Sequence, residues 1–319
     1  MIRVGTRGSR LAVAQTNGVI RQLASANPGV RFEPIVIRTS GDRIKTVREL
    51  RAAGKGVFTR EIERALLKKK IDLAVHSAKD LPTDMTAGVT IGAILEREDP
   101  ADAFVGRTIT RLEHLPAGAE VGTASLRRQA FLHAFHPKLK PVNLRGNLDT
   151  RLEKIARPRG KLAGIIVAAA GLKRIESGNG NPVQVLSTET FVPSAGQGAL
   201  AIECREGDEK RRELLAPVHH LETARCVGLE RLIQHRLEGG CQVPMGILAE
   251  SPEEDLLRVT VCIASLDGVD LIREVAVGSV EDPGGLTEAM MILLETKGGP
   301  ELLRSLPRRK PGKKTGSGR

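Results

Sequence analysis

The sequence predicts two successive α/β units followed by a smaller α+β unit. Three observations lead there. Short apolar strands alternate with amphipathic helices over both of the first two units. The segments Glu96-Arg97-Glu98-Asp99-Pro100 and Val192-Pro193-Ser194-Ala195-Gly196-Gln197-Gly198 interrupt that alternation as crossings. From about His219 the order changes to one helix, three strands and a helix. Alternation at this spacing implies mostly parallel sheets with helices on their faces. A chain of 319 residues is too long for one ordinary core, so two or three domains are expected.

In the first unit, Ile2 to Gly5 reads as a strand. Ser9 then caps a helix with Leu11, Ala14, Val19 and Leu23 on one face. Ile35-Val36-Ile37 is a second strand. Thr59 opens a helix with Glu61 and Glu63 early, Ile62, Ala65 and Leu66 on one face, and Lys68-Lys69-Lys70 at its end. That charge order suits the helix dipole. Leu73-Ala74-Val75 and Val89 to Leu95 are further strands. In the second unit, Val121-Gly122 ends a strand and Ser125 caps a helix through Phe131. Val142-Asn143-Leu144 is a strand, and Leu148, Leu152 and Ile155 mark a helix. Ile165-Ile166-Val167-Ala168 is a strand running out to Gly171. The third unit places strands near Ile247, Val259 and Ile272 and a helix from Leu286 to Leu294.

Composition narrows the class. With 40% hydrophobic and 27% charged residues, the chain is globular. No apolar run reaches the length of a membrane span, and the start runs straight into a strand without a signal-peptide pattern, so a cytoplasmic protein is expected. Six of the net +11 charges sit on the tail from Arg308 to Arg319, which holds no acid; that leaves +5 for the body. The tail reads as disordered and solvated. Without Trp or Tyr, and with only six Phe, the chain lacks the stacking surfaces of single-strand nucleic-acid binders. Cys204, Cys226, Cys241 and Cys262 form no Cys-x-x-Cys pair, and His219 and His220 lack ligand spacing around them. Neither a disulfide framework nor a zinc site is expected.

Ligands of open α/β sheets bind where strands end and helices begin, and helix N-termini there favour anions. Cationic and hydroxyl residues gather at such junctions: Arg7 and Ser9, Ser77 and Lys79, Thr123 with Ser125, Arg127 and Arg128, Arg145 with Arg151 one turn on, and Arg174. Guanidinium groups bind carboxylates through paired hydrogen bonds, so a substrate with several carboxylates is the natural partner of this cleft. Asp80 is an acid among them, in His76-Ser77-Ala78-Lys79-Asp80-Leu81-Pro82. It either holds a developing positive charge and moves a proton, or forms an ion pair with a neighbouring base. The loop Ala53-Gly54-Lys55-Gly56-Val57-Phe58 lacks P-loop spacing and reads as a flap or a plain connector. Cys241 follows two glycines in Leu237-Glu238-Gly239-Gly240-Cys241-Gln242-Val243-Pro244, a loop that presents its sulfur. The other three cysteines read as buried small hydrophobes. A polyanion binder, a cysteine hydrolase pairing Cys241 with His219, and a solute-binding protein are the rival classes.

Taken in order, these segments resemble the porphobilinogen deaminase (hydroxymethylbilane synthase) family. The resemblance is carried by Thr6-Arg7-Gly8-Ser9 with Gln15, by the Gly54-Lys55-Gly56 loop with Phe58, and by His76 to Pro82. It continues through Glu96 to Pro100, Gly122-Thr123-Ala124-Ser125-Leu126-Arg127-Arg128, Leu144-Arg145-Gly146-Asn147 and Ala170-Gly171-Leu172-Lys173-Arg174. Gly196-Gln197-Gly198-Ala199 and Leu237 to Cys241 complete it. Ala78 stands where members commonly carry Met or Leu.

The resemblance implies head-to-tail condensation of four porphobilinogen molecules to hydroxymethylbilane, with loss of ammonia. It implies a dipyrromethane cofactor held by a thioether to Cys241. Asp80 is then the catalytic residue, beside an electron-poor azafulvene-like cation left when ammonia departs. Lys79, Ser77, Thr123, Ser125, Arg127, Arg128 and Arg145 are cofactor-binding, with Asp80. Arg7, Ser9, Gln15, Arg151, Arg174, Lys55 and Phe58 are substrate-binding. It further implies two periplasmic-binding-protein-like α/β domains around a cleft, 1–95 with 196–215 and 101–192, plus a C-terminal α+β domain, 219–305, carrying the cofactor cysteine, before the tail 306–319. A monomer that passes its product to uroporphyrinogen-III synthase is expected.

Overall fold

The computed structural model describes residues 1–40, 56, 59–157, 160–175, 180–237 and 243–306. The expectations for Lys55, Phe58, Cys241 and all of the tail after Leu306 lie outside these residues. In chain order the first stretch holds β1 (Ile2–Arg7), α1 (Arg10–Ala26), β2 (Phe32–Ile37), α2 (Arg60–Leu67), β3 (Leu73–Ser77), a 3₁₀ turn over Ala78–Asp80, and β4 (Val89–Ile94). Next come β5 (Asp102–Gly106), β6 (Glu120–Gly122), α3 (Leu126–Phe135), β7 (Lys140–Val142), α4 (Leu148–Ala156), β8 (Leu162–Ala168), α5 (Ala169–Arg174) and β9 (Val183–Val185). The chain continues through β10 (Leu200–Arg205), α6 (Glu209–Leu215), α7 (Leu221–Arg236), β11 (Met245–Glu253), β12 (Leu256–Ala264), β13 (Leu271–Ser279), α8 (Pro283–Thr296) and α9 (Gly299–Ser305).

Two five-stranded sheets share one wiring. Their orders are β2-β1-β3-β10-β4 and β7-β6-β8-β5-β9. In both, the first three strands run parallel, and the fourth is antiparallel to both its neighbours. The sheets are mostly parallel as expected, each with one reversed strand, β10 or β5. The cause is connectivity: β5 and β10 each follow a crossing and enter a sheet from the opposite direction. The third unit is an antiparallel meander, β11-β12-β13, with α7 and α8 packed on it through Ile233, Met290 and Leu294. These are the two α/β units and the C-terminal α+β unit that the sequence predicts.

Local signals fare well. The Ser9 hydroxyl accepts from the Ala12 N–H (3.3 Å) and that of Ser125 from the Arg128 N–H (3.4 Å), so both cap helices as expected. Two bounds shift. The strand expected at 142–144 is Lys140–Val142. The strand expected to run to Gly171 yields to α5 at Ala169, where an alanine run favours helix.

The three units are tied at the crossings. Arg97 is paired with the buried Glu230 of α7 (2.7 and 3.2 Å) and donates Nε to the Gln197 carbonyl (2.8 Å). Glu230 also accepts from the Gly196 and Ala249 N–H groups (2.6 and 2.8 Å). One carboxylate therefore joins both crossings to the third unit. The core is also shared: Phe104, Phe131 and Phe191 of the second unit pack with Leu248 and Cys262 of the third.

Candidate active site

A cleft of about 290 Å³ opens where the two sheets and the third unit meet. The first unit supplies Lys79 and Asp80 from the turn after β3. The second supplies Ser125, Arg127 and Arg128 from the start of α3, and Arg151 from α4. The crossing supplies Ser194 and Gln197, and the third unit contributes Gln234, Val243, Met245 and Ile247. Both sheets thus aim their strand-to-helix junctions at one space, which is why residues distant in sequence meet there.

The cation wall stands on Asp102, the first residue of β5. It is fully buried. It accepts from Arg127 Nη1 and Nη2 (2.8 and 3.1 Å), from Arg128 Nε and Nη2 (3.0 and 2.8 Å) and from Gln197 Nε2 (2.8 Å). Those neighbours hold its carboxyl well below the usual carboxylate range, against the opposing effect of burial. Arg127 is only 2% exposed. Its Nε donates to Ser194 Oγ and its Nη1 also to the Val192 carbonyl (3.1 and 2.8 Å), so every guanidinium nitrogen has a protein partner. Arg127 is therefore built into the wall, whereas Arg151 lines the space more openly.

Gln197 bridges the two sides. Its Oε1 accepts from Lys79 Nζ and from Arg128 Nη2, each at 3.2 Å. Lys79 is half-buried, and burial together with the charge of Arg128 lowers its ammonium to about 8. Arg151 donates Nε to the Gly146 carbonyl (2.8 Å). Burial and the charges of Arg128 and Arg145 lower it to about 10. Cations that depress one another's affinity for protons form a site that anions relieve.

Asp80 differs from all of these. It is exposed, and its side chain makes no hydrogen bond or ion pair with any described residue. The ion-pair alternative thus finds no contact among the described residues, while the charge of Asp80 acts through space to raise the proton affinity of the adjacent Lys79.

The remaining expected residues take these places. Ser77 ends β3, and its Oγ accepts from Nε2 of the buried Gln15 (3.2 Å). Arg7, half-buried, ends β1. Thr123 is buried, and its hydroxyl accepts from the Ser125 N–H (3.3 Å). Arg145 is half-buried ahead of α4. Arg174 donates to the Gly198 carbonyl (2.5 Å), beside a second space lined by Gln15, Glu98 and Lys173. Ser77, Thr123, Arg7, Arg145 and Arg174 are thus near the junctions but not among the residues lining the first space. Burial lifts the thiols of Cys204, Cys226 and Cys262, the latter two to about 12, which suits inert core residues. His219 Nδ1 accepts from the Ile94 N–H (3.2 Å), a structural use. Sequence reasoning missed Asp102 and Gln234. An acid inside the apolar strand Ala101-Asp102-Ala103-Phe104-Val105 was the available signal for the first; nothing marked Gln234.

Fold and cleft define a two-lobed α/β protein with a polycationic junction and the exposed carboxylate of Asp80 in its lining. Residues 2–213 match the family model described as porphobilinogen deaminase, dipyromethane cofactor binding domain, and residues 224–291 match the porphobilinogen deaminase C-terminal domain. A porphobilinogen deaminase of Desulforudis audaxviator is 44% identical over 300 residues, covering 94% of this chain and 96% of that one. That of Moorella thermoacetica is 44% identical over 307 residues, covering 96% of each chain. Among solved structures, the methionine binding protein MetQ aligns with a TM-score of 0.43 at 15% identity, covering 73% of this chain and 94% of that one. The chain belongs to the porphobilinogen deaminase family.

Proposed function

We propose that this chain is a transferase of tetrapyrrole biosynthesis. It joins four porphobilinogen molecules head to tail into hydroxymethylbilane, releasing ammonia, on a dipyrromethane primer held by Cys241. Family membership supports the reaction and the cofactor. The observation in the fold that carries the reading is the convergence of Lys79, Arg127, Arg128 and Arg151 from both lobes on one cleft. Lys79 and Arg151 both have lowered proton affinity beside Arg128. A ligand bearing an acetate and a propionate on every ring supplies the missing anions, so the residues present fit a polycarboxylate pyrrole. When bound, the cofactor supplies a pyrrole carbon at which the chain starts to grow.

The protein's own residues then divide the work. Arg128, Arg151 and Lys79 face carboxylates from the lining of the cleft. Arg127 adds its charge from behind, held by Asp102. Arg7, Arg145 and Arg174, with the hydroxyls of Ser77, Thr123, Ser9 and Ser125, extend the polar surface toward both lobes, and Gln15 orients Ser77. Lys55 and Phe58 complete the substrate contacts in this reading. Each addition breaks the bond between the aminomethyl carbon and its nitrogen, forms a carbon–carbon bond, and releases a ring proton. Asp80, with no hydrogen bond or ion-pair contact among the described residues, stabilises the positive charge that develops as ammonia leaves and accepts the proton. Residues 1–95 with 196–215, 101–192 and 219–305 act as the three bodies around the cleft. The reading keeps a cytoplasmic monomer and transfer of product to uroporphyrinogen-III synthase. Among the described residues no helix is long and apolar enough to cross a membrane.

Intact mass spectrometry under denaturing conditions, with peptide mapping around Cys241, tests this reading. A two-pyrrole adduct on Cys241 is expected, and Cys241→Ser protein should lack both adduct and turnover. Hydroxymethylbilane formation by Cys241→Ser would refute the anchor.

A further inference from the structure

Where β10 meets β3, a second carboxylate is shut inside the first unit. Glu203 is fully buried, and its Oε2 lies 2.9 Å from Nε2 of His76, itself only 6% exposed. The reaction as described above uses neither. The β3–β10 register sets Ala201 against His76 and Glu203 against Ala74, so the pair spans the ladder diagonally. It sits just before the strand gives way to the turn bearing Lys79 and Asp80. On the far side of that turn, Arg231 of α7 donates Nη2 to the Pro82 carbonyl (2.7 Å) and points Nη1 at the Leu81 carbonyl (3.5 Å). The charge of Glu203 acts on Arg231, opposing the effect of its burial.

A buried carboxyl group needs a polar group beside it. His76, whose Nε2 lies 2.9 Å from Glu203, and Arg231, bonded to the Leu81 and Pro82 carbonyls, each hold one shoulder of the same turn. The crossing closes it from beneath. The Ala78 N–H donates to the Ala199 carbonyl (3.0 Å). Gly196, at φ +71°, leaves no room for a side chain: a Cβ there would lie 3.0 Å from Ala78 C and Lys79 N. Asp80 has no side-chain partner among the described residues. Among the described residues only its backbone therefore sets its aim into the cleft, and these clamps hold that backbone.

We propose that Glu203 is a positioning residue for the condensation: through His76 it fixes one shoulder of the Lys79–Asp80 turn, opposite the shoulder that Arg231 holds, and so sets the direction in which the turn presents the Asp80 carboxylate. The proposal rests on the reading of Asp80 as the reacting acid.

The test uses full-length, cofactor-loaded protein and the variants Asp80→Asn, Glu203→Gln, Arg231→Met, His76→Ala and His76→Gln. Glutamine at 76 keeps an N–H donor within reach of Glu203. Glu203→Gln, Arg231→Met and His76→Ala are expected to retain the adduct on Cys241 and an unchanged KM while kcat falls by about 100-fold, the scale of a small misplacement of a reacting group. His76→Gln is expected to recover most of that kcat. Wild-type kcat in Glu203→Gln and Arg231→Met, or a rise in KM at unchanged kcat, would overturn the positioning role while leaving an inactive Asp80→Asn intact. Wild-type turnover in Asp80→Asn would instead overturn the reading beneath it. Should Glu203→Gln fail to fold, the pair His76→Ala and His76→Gln, at the residue that touches Glu203, decides the question: equal kcat in the two would overturn the proposal.

Discussion

Each α/β unit receives its fourth strand from a crossing, and each of those strands brings one fully buried carboxylate. In the second unit it is Asp102 on β5; in the first it is Glu203 on β10. Asp102 is saturated by Arg127, Arg128 and Gln197. Glu203 has one close partner, His76, and acts at longer range on Arg231. The same device thus serves two ends. On one side it locks a wall of cations, whose charge a carboxylate ligand meets. On the other it braces a turn whose outward acid, Asp80, makes no hydrogen bond or ion-pair contact among the described residues. A carboxylate engaged by several donors frames a site; an exposed one beside cations is available to react.

The largest effect that sharpens this contrast belongs to Asp80. Asp80→Asn should keep the fold and the adduct and lose turnover by about 10²–10⁴-fold, the range for a positioned acid or base, in a steady-state assay of hydroxymethylbilane. Next is Asp102→Asn, which leaves buried guanidinium groups with a weaker partner. A loss of about 3–5 kcal/mol in denaturant unfolding is expected, as when one partner of a buried pair is removed. The pH dependence has a defined sign. The folded Asp102 carboxyl is depressed, so its stabilisation is complete above about pH 4, where the unfolded carboxyl titrates, and declines as pH falls toward the folded value. The acid limb of the wild-type stability curve should accordingly flatten in the variant. Gln197→Leu, which removes one donor to Asp102 and the acceptor shared by Lys79 and Arg128, should cost about 1–3 kcal/mol.

The smallest effect concerns Lys79. Its ammonium, lowered to about 8, loses its proton as pH rises through that value. An anion binds the protonated form, so binding weakens on the alkaline side. Calorimetry of porphobilinogen with Cys241→Ser protein should show affinity falling as pH passes about 8, and Lys79→Met should remove that step. Constant affinity in the parent variant would separate Lys79 from carboxylate binding.

Much of this was legible in the sequence because its signals are local. Ser9 and Ser125 cap the helices they precede, and the arginine-rich stretches do fall where strands end. The Gly-Gly-Cys loop and the His76-to-Pro82 stretch carried the family resemblance. What escaped was decided by partners far along the chain. Nothing near Asp102 reveals that Arg127, Arg128 and Gln197 converge on it, so it goes unnoticed in the sequence. For the same reason Arg127 reads as a ligand-binding arginine when its nitrogens are engaged within the wall. The direction of β5 and β10 likewise depends on which sheet each joins after its crossing, which no local periodicity encodes. The depressed Lys79 ammonium arises from its burial in the cleft and from the charge of Arg128 in the other unit, both beyond any local window.

The most direct test of this division is to measure kcat and melting temperature for Asp80→Asn and Asp102→Asn side by side. The account predicts a crossed pattern: Asp80→Asn melts with the wild type and hardly turns over, while Asp102→Asn melts several degrees lower and retains kcat far above that of Asp80→Asn when assayed below its transition. An Asp80→Asn protein with normal turnover, or an Asp102→Asn protein as stable as the wild type, would contradict it.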